Sequence, residues 1–245
     1  MIYTLIRSLM NGAAARDVVP GMIFTVIVVL FSLSLHEVSH GWMASKLGDK
    51  TALYTGRLTL DPRKHIDPIG SVCMLLFGFG WAKPVPVNSR YFKKPRRDMA
   101  LTALAGPVSN LLLAFVSLLV FSIITAFNNT AAAFFYYGFA GDIIMSASFG
   151  GKALALLGQL FYYSHILNLY LALFNLVPIP PLDGSRIALI FLPDRVYFGI
   201  MKYERYISIA LFVLLWSGFF SNILSTACGY VSLGMSYLIH LIPGL

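Results

Sequence analysis

The stretch FTVIVVLFSLSLHEVSH, residues 24–40, joins a long apolar run directly to a cluster of ionisable side chains. From Val18 to Leu35 the chain contains no Asp, Glu, Lys or Arg. As a helix, this run is about 27 Å long, which is close to the thickness of the hydrocarbon core of a bilayer. The stretch therefore predicts a transmembrane helix that carries ionisable groups near one end, where such groups are costly and usually functional.

Charge is scarce in the rest of the chain as well. Of the 245 residues, 58% are hydrophobic and 11% are charged, whereas soluble domains carry about a quarter charged residues. Three further charge-free runs, 99–141, 153–182 and 206–245, are each long enough to cross a bilayer. This composition excludes soluble, disordered, collagen-like and small disulfide-rich proteins, and it excludes a freestanding nucleic-acid-binding domain.

The apolar runs predict an all-α polytopic membrane protein with about five to six transmembrane helices. Between the first two long spans, the Gly- and Pro-rich segment 68–82 is too short to cross and is interpreted as a re-entrant or β-like loop element. Segment 128–151 is a candidate for another short helix, and the last two spans are predicted to divide at Cys228-Gly229. The spans are expected near residues 20–46, 99–127, 152–176, 205–227 and 229–244.

Positive charge orients the chain, because 11 of the 18 Lys and Arg residues lie between Lys46 and Arg97. Cytoplasmic loops are enriched in Lys and Arg, so this connection is expected to face the cytoplasm. The run KKPRR at 93–97 could indicate nucleic-acid binding. Beside predicted transmembrane helices it is interpreted as an anchor for lipid headgroups, so the expected partner is the lipid bilayer and no nucleic acid is expected.

The ionisable cluster is His36-Glu37-Val38-Ser39-His40, an H-E-x-x-H motif. Positions i and i+4 of a helix lie on one face, so the two imidazoles can bind one metal ion. Glu37 lies beside this face and can reach a water molecule at the metal without being a ligand. The alternative is a merely polar helix end, which is disfavoured because the chain has only five His and two Glu residues.

A third ligand must come from elsewhere, because catalytic zinc typically takes three protein ligands and leaves one position for water. The candidate is Asp183, because the segment NLVPIPPLDG, residues 175–184, closes a charge-free run with a single carboxylate. Pro-Pro-x-Asp-Gly is also good turn chemistry, so a plain turn is the alternative. A lone buried carboxylate needs a counter-charge, which favours the ligand.

Three motifs together resemble the site-2 protease family of intramembrane zinc metalloproteases, in its compact form without a PDZ or regulatory domain. They are H-E-x-x-H, the sequence GPVSN at 106–110, and N-x-x-P-x-x-x-L-D-G at 175–184, and they occur in the family's order. The resemblance implies one catalytic zinc ion held by two imidazoles and a carboxylate, with a glutamate as base. The residues in these roles would be the ligands His36, His40 and Asp183, and the catalytic base Glu37.

Further residues receive roles from the same resemblance. Asn175 would be a polar group near the substrate. The stretch GWAKPVPVN, residues 80–88, resembles a membrane-associated loop of compact bacterial members, and we expect it to offer an edge to an unwound substrate. Gly106 and Asn110 are interpreted either as active-site support or as helix packing. The expected substrate-binding residues of the loop are Trp81, Pro84, Val85 and Pro86.

The expected function is a zinc-dependent intramembrane endopeptidase that hydrolyses peptide bonds in or near transmembrane segments of membrane-protein substrates. The chain is expected to form a single domain, 1–245, with a catalytic core at about 20–190 and C-terminal transmembrane helices at about 205–245. By resemblance, this multi-pass protein lies in the inner membrane of a prokaryote with its active site towards the cytoplasm.

Two other functions remain open at this point. The motif could line the translocation path of a membrane transporter or metal-handling protein. A membrane zinc protease that trims prenylated or soluble tails is the second alternative. Two further histidines are expected outside the site, His165 in a hydrogen-bonded packing role and His65 at the membrane interface. No motif specifies the substrate or the oligomeric state.

Overall fold

A computed structural model describes residues 15–77, 80–128 and 148–243. Within these ranges the regular elements are all helical and no β-strand occurs, in agreement with the predicted all-α class. Three 3₁₀ turns, Pro62–Lys64, Ser89–Tyr91 and Leu189–Phe191, lie in the connections. The helices are α1 (Ala15–Lys46), α2 (Thr51–Tyr54), α3 (Pro68–Phe77), α4 (Pro95–Phe127), α5 (Phe149–Asn175), α6 (Asp183–Ala188), α7 (Asp194–Lys202), α8 (Glu204–Trp216) and α9 (Ser221–His240).

Among the described residues, two helices are long and apolar enough to cross a bilayer, α1 over Gly21–Lys46 and the whole of α4. Helix α4 begins sharply because Pro95 lies in its first turn, where its missing N–H is not needed. Asp98 strengthens this start, since its carboxylate accepts the backbone N–H of Lys94 at 2.9 Å. These helices fit the predicted membrane class, and the count of five to six spans stays a prediction.

Helix α5 has 27 residues, but polar side chains interrupt its apolar run. Ser164, His165 and Asn168 are buried inside the helix bundle. The His165 ring lies 3.0 Å from the Ala114 carbonyl through Nδ1 and 2.9 Å from the Ser232 hydroxyl through Nε2. A carbonyl only accepts, so Nδ1 carries the proton and Nε2 accepts from Ser232. The expected packing role of His165 is confirmed by these bonds.

Helix α4 is central and packs along both α1 and α5. His36 on α1 contacts Gly106 on α4, whereas His40, one turn later on α1, also bonds to Thr102, one turn earlier on α4. The two helices are therefore antiparallel. Helices α4 and α5 are antiparallel in the same way. The C-terminal ends of α1 and α5 therefore meet the N-terminal end of α4 at one end of the bundle.

The last two helices divide at Gly218, and the predicted division at Cys228-Gly229 is wrong. Gly218 has a φ of 77°, the left-handed conformation that commonly ends a helix. Cys228 is buried in α9, where it packs with Ala114 and Leu169. Gly229 has open space around its Cα and is simply tolerated within that helix.

The segment between the first two long spans contains the short helix α3 followed by an extended stretch. Pro84 and Pro86 favour extended conformations in the residues before them. A single antiparallel bridge joins Ile66 to Ala82. We call residues 81–88 the edge segment. Most of segment 68–82 is thus helical, and the β-like and re-entrant interpretations of this loop stay predictions. Most of the candidate short helix 128–151 lies outside the described residues.

Candidate metal centre

The two imidazoles of the H-E-x-x-H motif converge from one face of α1. His36 and His40 are both buried, and their Nε2 atoms lie 3.0 Å apart. The rings meet edge to face, with centroids 4.5 Å apart and an interplanar angle of 88°. This arrangement follows from helix geometry alone, because side chains four residues apart are neighbours on the helix surface.

Helix α6 brings a carboxylate to the same point. Asp183 Oδ2 lies 3.0 Å from His36 Nε2 and 3.3 Å from His40 Nε2. The chain reaches this position through a close turn after α5, in which a Cβ on Gly184 would lie 2.2 Å from the Leu176 carbonyl oxygen. The Pro-Pro-x-Asp-Gly sequence thus forms a turn and also places its carboxylate beside the imidazoles, so the two interpretations are compatible.

The three converging atoms have the chemistry and spacing of a zinc site. Two imidazole nitrogens and a carboxylate oxygen are ordinary zinc ligands, at about 2.0–2.2 Å from the metal, and tetrahedral ligands at that distance are about 3.3–3.6 Å apart. The separations here are 3.0–3.3 Å. Among the residues that the structure describes, this is the one group of three or more His, Cys, Asp or Glu side chains that could hold a metal ion.

The tautomer of His40 is determined by a hydrogen bond at Nδ1, the ring nitrogen that does not face Asp183. Its Nδ1 lies 2.7 Å from the Thr102 carbonyl oxygen, which can only accept, so Nδ1 carries the proton. Nε2 consequently presents a lone pair towards Asp183. Metal-binding imidazoles usually have such an outer partner. His36 Nδ1, by contrast, is buried without a partner in the described part of the chain.

Gly106 on α4 lies directly against the two imidazoles. A Cβ at this position would lie 2.4 Å from His40 Nε2 and 2.6 Å from His36 Cε1, distances that no side chain can occupy. Asn110, one turn further along α4, is fully buried, and its Nδ2 has no hydrogen-bond partner among the described residues. Close helix packing and contact with the site therefore coincide at Gly106, so its two sequence interpretations do not exclude each other.

The edge segment contacts the predicted base. The backbone N–H of Val85 donates to Glu37 Oε2 at 2.8 Å. The Val85 side chain is buried and packs against Gly41, because a Cβ on Gly41 would lie 3.1 Å from Val85 Cγ1. The loop motif and the H-E-x-x-H motif, which the sequence places far apart, are thus in direct contact in the structure.

The other predicted substrate residues lie in less defined positions. Trp81 is partly exposed, and its ring meets the ring of Phe212 on α8 at a centroid distance of 5.8 Å. Pro84 is exposed and Pro86 is half-buried. The Asn175 amide donates to the Leu171 carbonyl at 2.9 Å, a bond within its own helix, so the structure does not join Asn175 to the metal ligands.

Two residues that the sequence analysis did not single out hold the edge segment. Arg57 Nη2 donates to the carbonyl oxygens of Lys83 at 2.8 Å and Pro84 at 3.2 Å. Asp49 is fully buried and accepts the backbone N–H of Asn88 at 2.6 Å. Both contacts go to main-chain atoms, which leave no recognisable residue pattern in a sequence.

His65 is buried within the protein, and its expected place at the membrane interface stays a prediction. Only 2% of the residue is exposed, and its Nε2 donates to the Thr59 carbonyl at 2.7 Å. The neighbouring Arg63 and Lys64 are exposed and made the segment look fully interfacial in sequence. The His65 carbonyl in turn accepts the N–H of Lys83 at 2.8 Å. His65 therefore belongs to the support of the edge segment.

Known sequences resemble this chain over most of its length. The sequence model of peptidase family M50 matches residues 24–218, a range that includes all the converging ligand atoms. YwhC of Bacillus subtilis, which carries the name of a zinc metalloprotease, is 42% identical over 193 residues, or 79% of this chain and 80% of YwhC.

More distant relatives carry the same kind of name. Rip2 of Mycobacterium tuberculosis is 31% identical over 181 residues, and the match covers 71% of this chain and 60% of Rip2. MJ0611 of Methanocaldococcus jannaschii is 27% identical over 174 residues, covering 67% of this chain and 72% of MJ0611. No solved structure matches the chain.

Proposed function

The chain belongs to peptidase family M50, the site-2 protease family, and from this premise we propose that His36, His40 and Asp183 hold its catalytic zinc. The protein is a zinc-dependent intramembrane endopeptidase. A transporter or metal-handling function is not favoured, because the matching family is one of peptidases. The observation that carries the assignment of ligands is the convergence of two Nε2 atoms and one carboxylate oxygen within 3.3 Å.

The chemistry divides between the metal and Glu37. When bound, zinc supplies a Lewis acid that polarises a peptide carbonyl and lowers the pKa of water towards about 7. Glu37 takes the proton of the attacking water and passes it to the leaving amine. Its Oε2 is engaged by the Val85 N–H, whereas Oε1 has no hydrogen bond among the described residues and is available for that proton.

The proposed substrates are transmembrane segments of other proteins. A helical segment hides its carbonyls in hydrogen bonds, so it must unwind locally before a peptide bond can react. We propose that the unwound stretch lies along the edge segment as an added strand. The contact between Val85 and Glu37 supports this, because it places an extended main chain beside the base. Trp81, Pro84 and Pro86 would shape the edge, and Pro84 and Pro86 contribute no N–H groups to it.

Asn175 and Asn110 have supporting roles in this proposal. Asn175 would contact the substrate after its amide leaves the Leu171 carbonyl. Gly106 allows α4 to approach the imidazoles, and one turn away the buried Asn110 Nδ2 has no hydrogen-bond partner among the described residues. A buried polar group of this kind usually bonds to an ordered water or a ligand. We propose that Asn110 supports the active site in this way.

The protein is a membrane protein with apolar helices, and its finer placement is part of the proposal. We place it in the inner membrane, with the metal centre opening towards the cytoplasm. The basic residues between Lys46 and Arg97 support this orientation. We further propose a single domain over 1–245, with the catalytic core at about 20–190.

Substitution of the base tests the proposed function. In Glu37→Gln cells, uncut membrane-protein substrates should accumulate, because the variant keeps the three zinc ligands but cannot move the proton. Quantitative comparison of membrane proteins between variant and wild type detects them. Glu204→Gln is the matched control, because Glu204 is the other glutamate of the chain and pairs with Arg186 instead of a proposed zinc ligand. Identical membrane proteomes for Glu37→Gln and wild type would contradict the proposal.

Cleavage-site mapping tests the substrate class. A protease that acts on unwound transmembrane segments should cut within the apolar span of its substrates. Mass spectrometry of the products locates the cut to a single residue. Cuts confined to soluble or prenylated tails would support the alternative protease function instead.

A further inference from the structure

Residues outside the edge segment form hydrogen bonds to its main chain at both ends. At its start, the His65 carbonyl accepts the N–H of Lys83 at 2.8 Å, and Arg57 donates to the Lys83 carbonyl at the same distance. At its end, Asp49 accepts the N–H of Asn88 at 2.6 Å. Only the Val85 contact between these ends involves a residue of the proposed mechanism. The hydrogen bonds at the two ends are therefore not explained by the proposed mechanism.

Arg57 is held in place to make its contacts. Gly56 has a φ of 65°, which turns the chain sharply after α2, and the N–H of Arg57 then donates to the Ala52 carbonyl at 2.9 Å. Its Nη2 serves both carbonyls of the edge segment, and its Nε is buried without a partner in the described part of the chain. The Arg57 guanidinium is thus partly buried, and the hydrogen bonds that it forms there go to two main-chain oxygens.

These contacts determine which N–H and C=O groups of the edge segment remain available to a substrate. In an extended chain, the N–H and the C=O of one residue point to the same side, and in an antiparallel hydrogen-bonded pair both bond to the same partner residue. Both groups of Lys83 are occupied. At Val85 the N–H is on Glu37 and the C=O has no hydrogen bond among the described residues. At Val87 both groups are free within the same described set. The open edge therefore begins at Val85.

We propose that Arg57 is a positioning residue that sets the register of the substrate on the edge segment. A substrate strand could slip by two residues and keep each side chain on its own face, so side-chain pattern does not prevent such a slip. Arg57 opposes it by occupying the Lys83 carbonyl, the acceptor two positions before Val85, while the His65 carbonyl occupies the Lys83 N–H. This inference rests on the proposed function, because it assumes that a substrate strand adds to this edge.

The first test measures the anchoring itself. Arg57→Met removes the donors and keeps an apolar stem, whereas Arg57→Lys keeps a cation that can reach a carbonyl. The control is Arg63→Met, because Arg63 lies in the same connection and bonds only to Asp61 among the described residues. In full-length, zinc-loaded protein in lipid nanodiscs, amide exchange at Lys83 and Val85 should rise about tenfold in Arg57→Met alone. Unchanged exchange in Arg57→Met would overturn the inference.

The second test measures register. The probe is a Leu-rich single-span peptide with a central Gly-Pro pair, reconstituted with the enzyme in phosphatidylcholine and phosphatidylglycerol vesicles. Wild type and Arg63→Met should cut at one position, and Arg57→Met should add a second cut two residues away. Arg57→Lys should restore the single cut. Mass spectrometry of the products locates the cuts made by each of the four proteins.

The outcomes separate this inference from the proposed function. A general loss of stability in Arg57→Met would slow cleavage without moving the cut. Slower cleavage at an unchanged position therefore overturns the register inference alone, as does a displaced cut that Arg57→Lys fails to restore. If zinc-loaded wild type leaves the peptide intact, the proposed function fails and the register inference fails with it.

Discussion

Gly106, whose side chain is a single hydrogen atom, lies directly against the two imidazoles of the candidate metal centre. In Gly106→Ala the new Cβ would lie 2.4 Å from His40 Nε2, so α4 or the imidazoles must move. We expect peptidase activity to fall at least about 100-fold, because a displacement of about 1 Å in a catalytic group costs that much. Product formation from a transmembrane peptide measures the change.

A second glycine provides the control for that substitution. Gly158 is also buried in a long helix, but a Cβ there would meet Ile124 Cγ2 at 3.4 Å, an ordinary contact. Gly158→Ala should therefore keep wild-type activity. If Gly106→Ala and Gly158→Ala behave alike, the close approach of α4 to the imidazoles is not needed for catalysis.

Removal of the Asp183 carboxylate should release the metal. In Asp183→Ala, zinc affinity should fall at least about 100-fold, because loss of an outer partner alone already costs about 10–100-fold. Zinc content after dialysis against a calibrated chelator measures this, independently of activity. Asp61→Ala removes a carboxylate that pairs with Arg63 in a connection and should leave the zinc content unchanged. Full zinc retention by Asp183→Ala would remove Asp183 from the ligand set.

The residues of the site differ in how far sequence could predict them. His36 and His40 were predictable from spacing, because one helical turn brings them together without any other part of the chain. Asp183 is 147 positions from His36, so no local spacing links them, and it was favoured over a plain turn by its need for a counter-charge and by the family resemblance. Arg57 could not be predicted, because its partners are main-chain carbonyls that any residue type carries.

At the scale of elements, the break between α8 and α9 depends on one left-handed residue. Gly218→Ala should destabilise the protein by about 1–2 kcal/mol, because a Cβ is crowded at a left-handed φ. Gly229→Ala, within α9 and facing open space, should stabilise it by about 0.5–1 kcal/mol. Thermal unfolding in detergent compares the two variants. Equal effects at both positions would mean that the chain does not turn at Gly218.

The misplaced boundary shows where helix prediction from sequence stops. Gly218 and Gly229 both lie in a charge-free run, so local composition does not choose between them. The choice is made by packing, because Cys228 is buried against Ala114 and Leu169 and this requires a continuous α9. Helix α5 shows the opposite case. Its length was well predicted, although its polar groups bond inside the bundle and lower its apolar character.

At the scale of the whole molecule, the antiparallel packing gathers the functional parts at one end of the bundle. Ten residues separate His36 from Lys46 at the end of α1, which places the metal centre about 15 Å below that end. The edge segment, the start of α4 and helix α6 lie at the same end. Arg96 adds a link between them, donating to the Leu192 carbonyl at 3.3 Å. Water and an unwound substrate would therefore enter from this side.

This arrangement predicts the sidedness of labelling. In a Cys73→Ser, Cys228→Ser background, the exposed positions Lys50 and Arg195 should both become reactive from the cytoplasm when changed to Cys. Phe149, which is 89% exposed at the start of α5, should react from the opposite side. This expectation follows from the proposed topology, in which basic connections stay in the cytoplasm and α5 crosses the bilayer.

A membrane-impermeant maleimide applied to intact cells and to inverted vesicles measures this sidedness. Lys50→Cys and Arg195→Cys should be protected in cells and labelled in inverted vesicles, and Phe149→Cys should show the reverse. Labelling of Lys50→Cys in intact cells would place the basic connection outside and overturn the orientation. Labelling of all three from one side would mean that α5 does not cross the bilayer, and the metal centre would then need another route for its substrates.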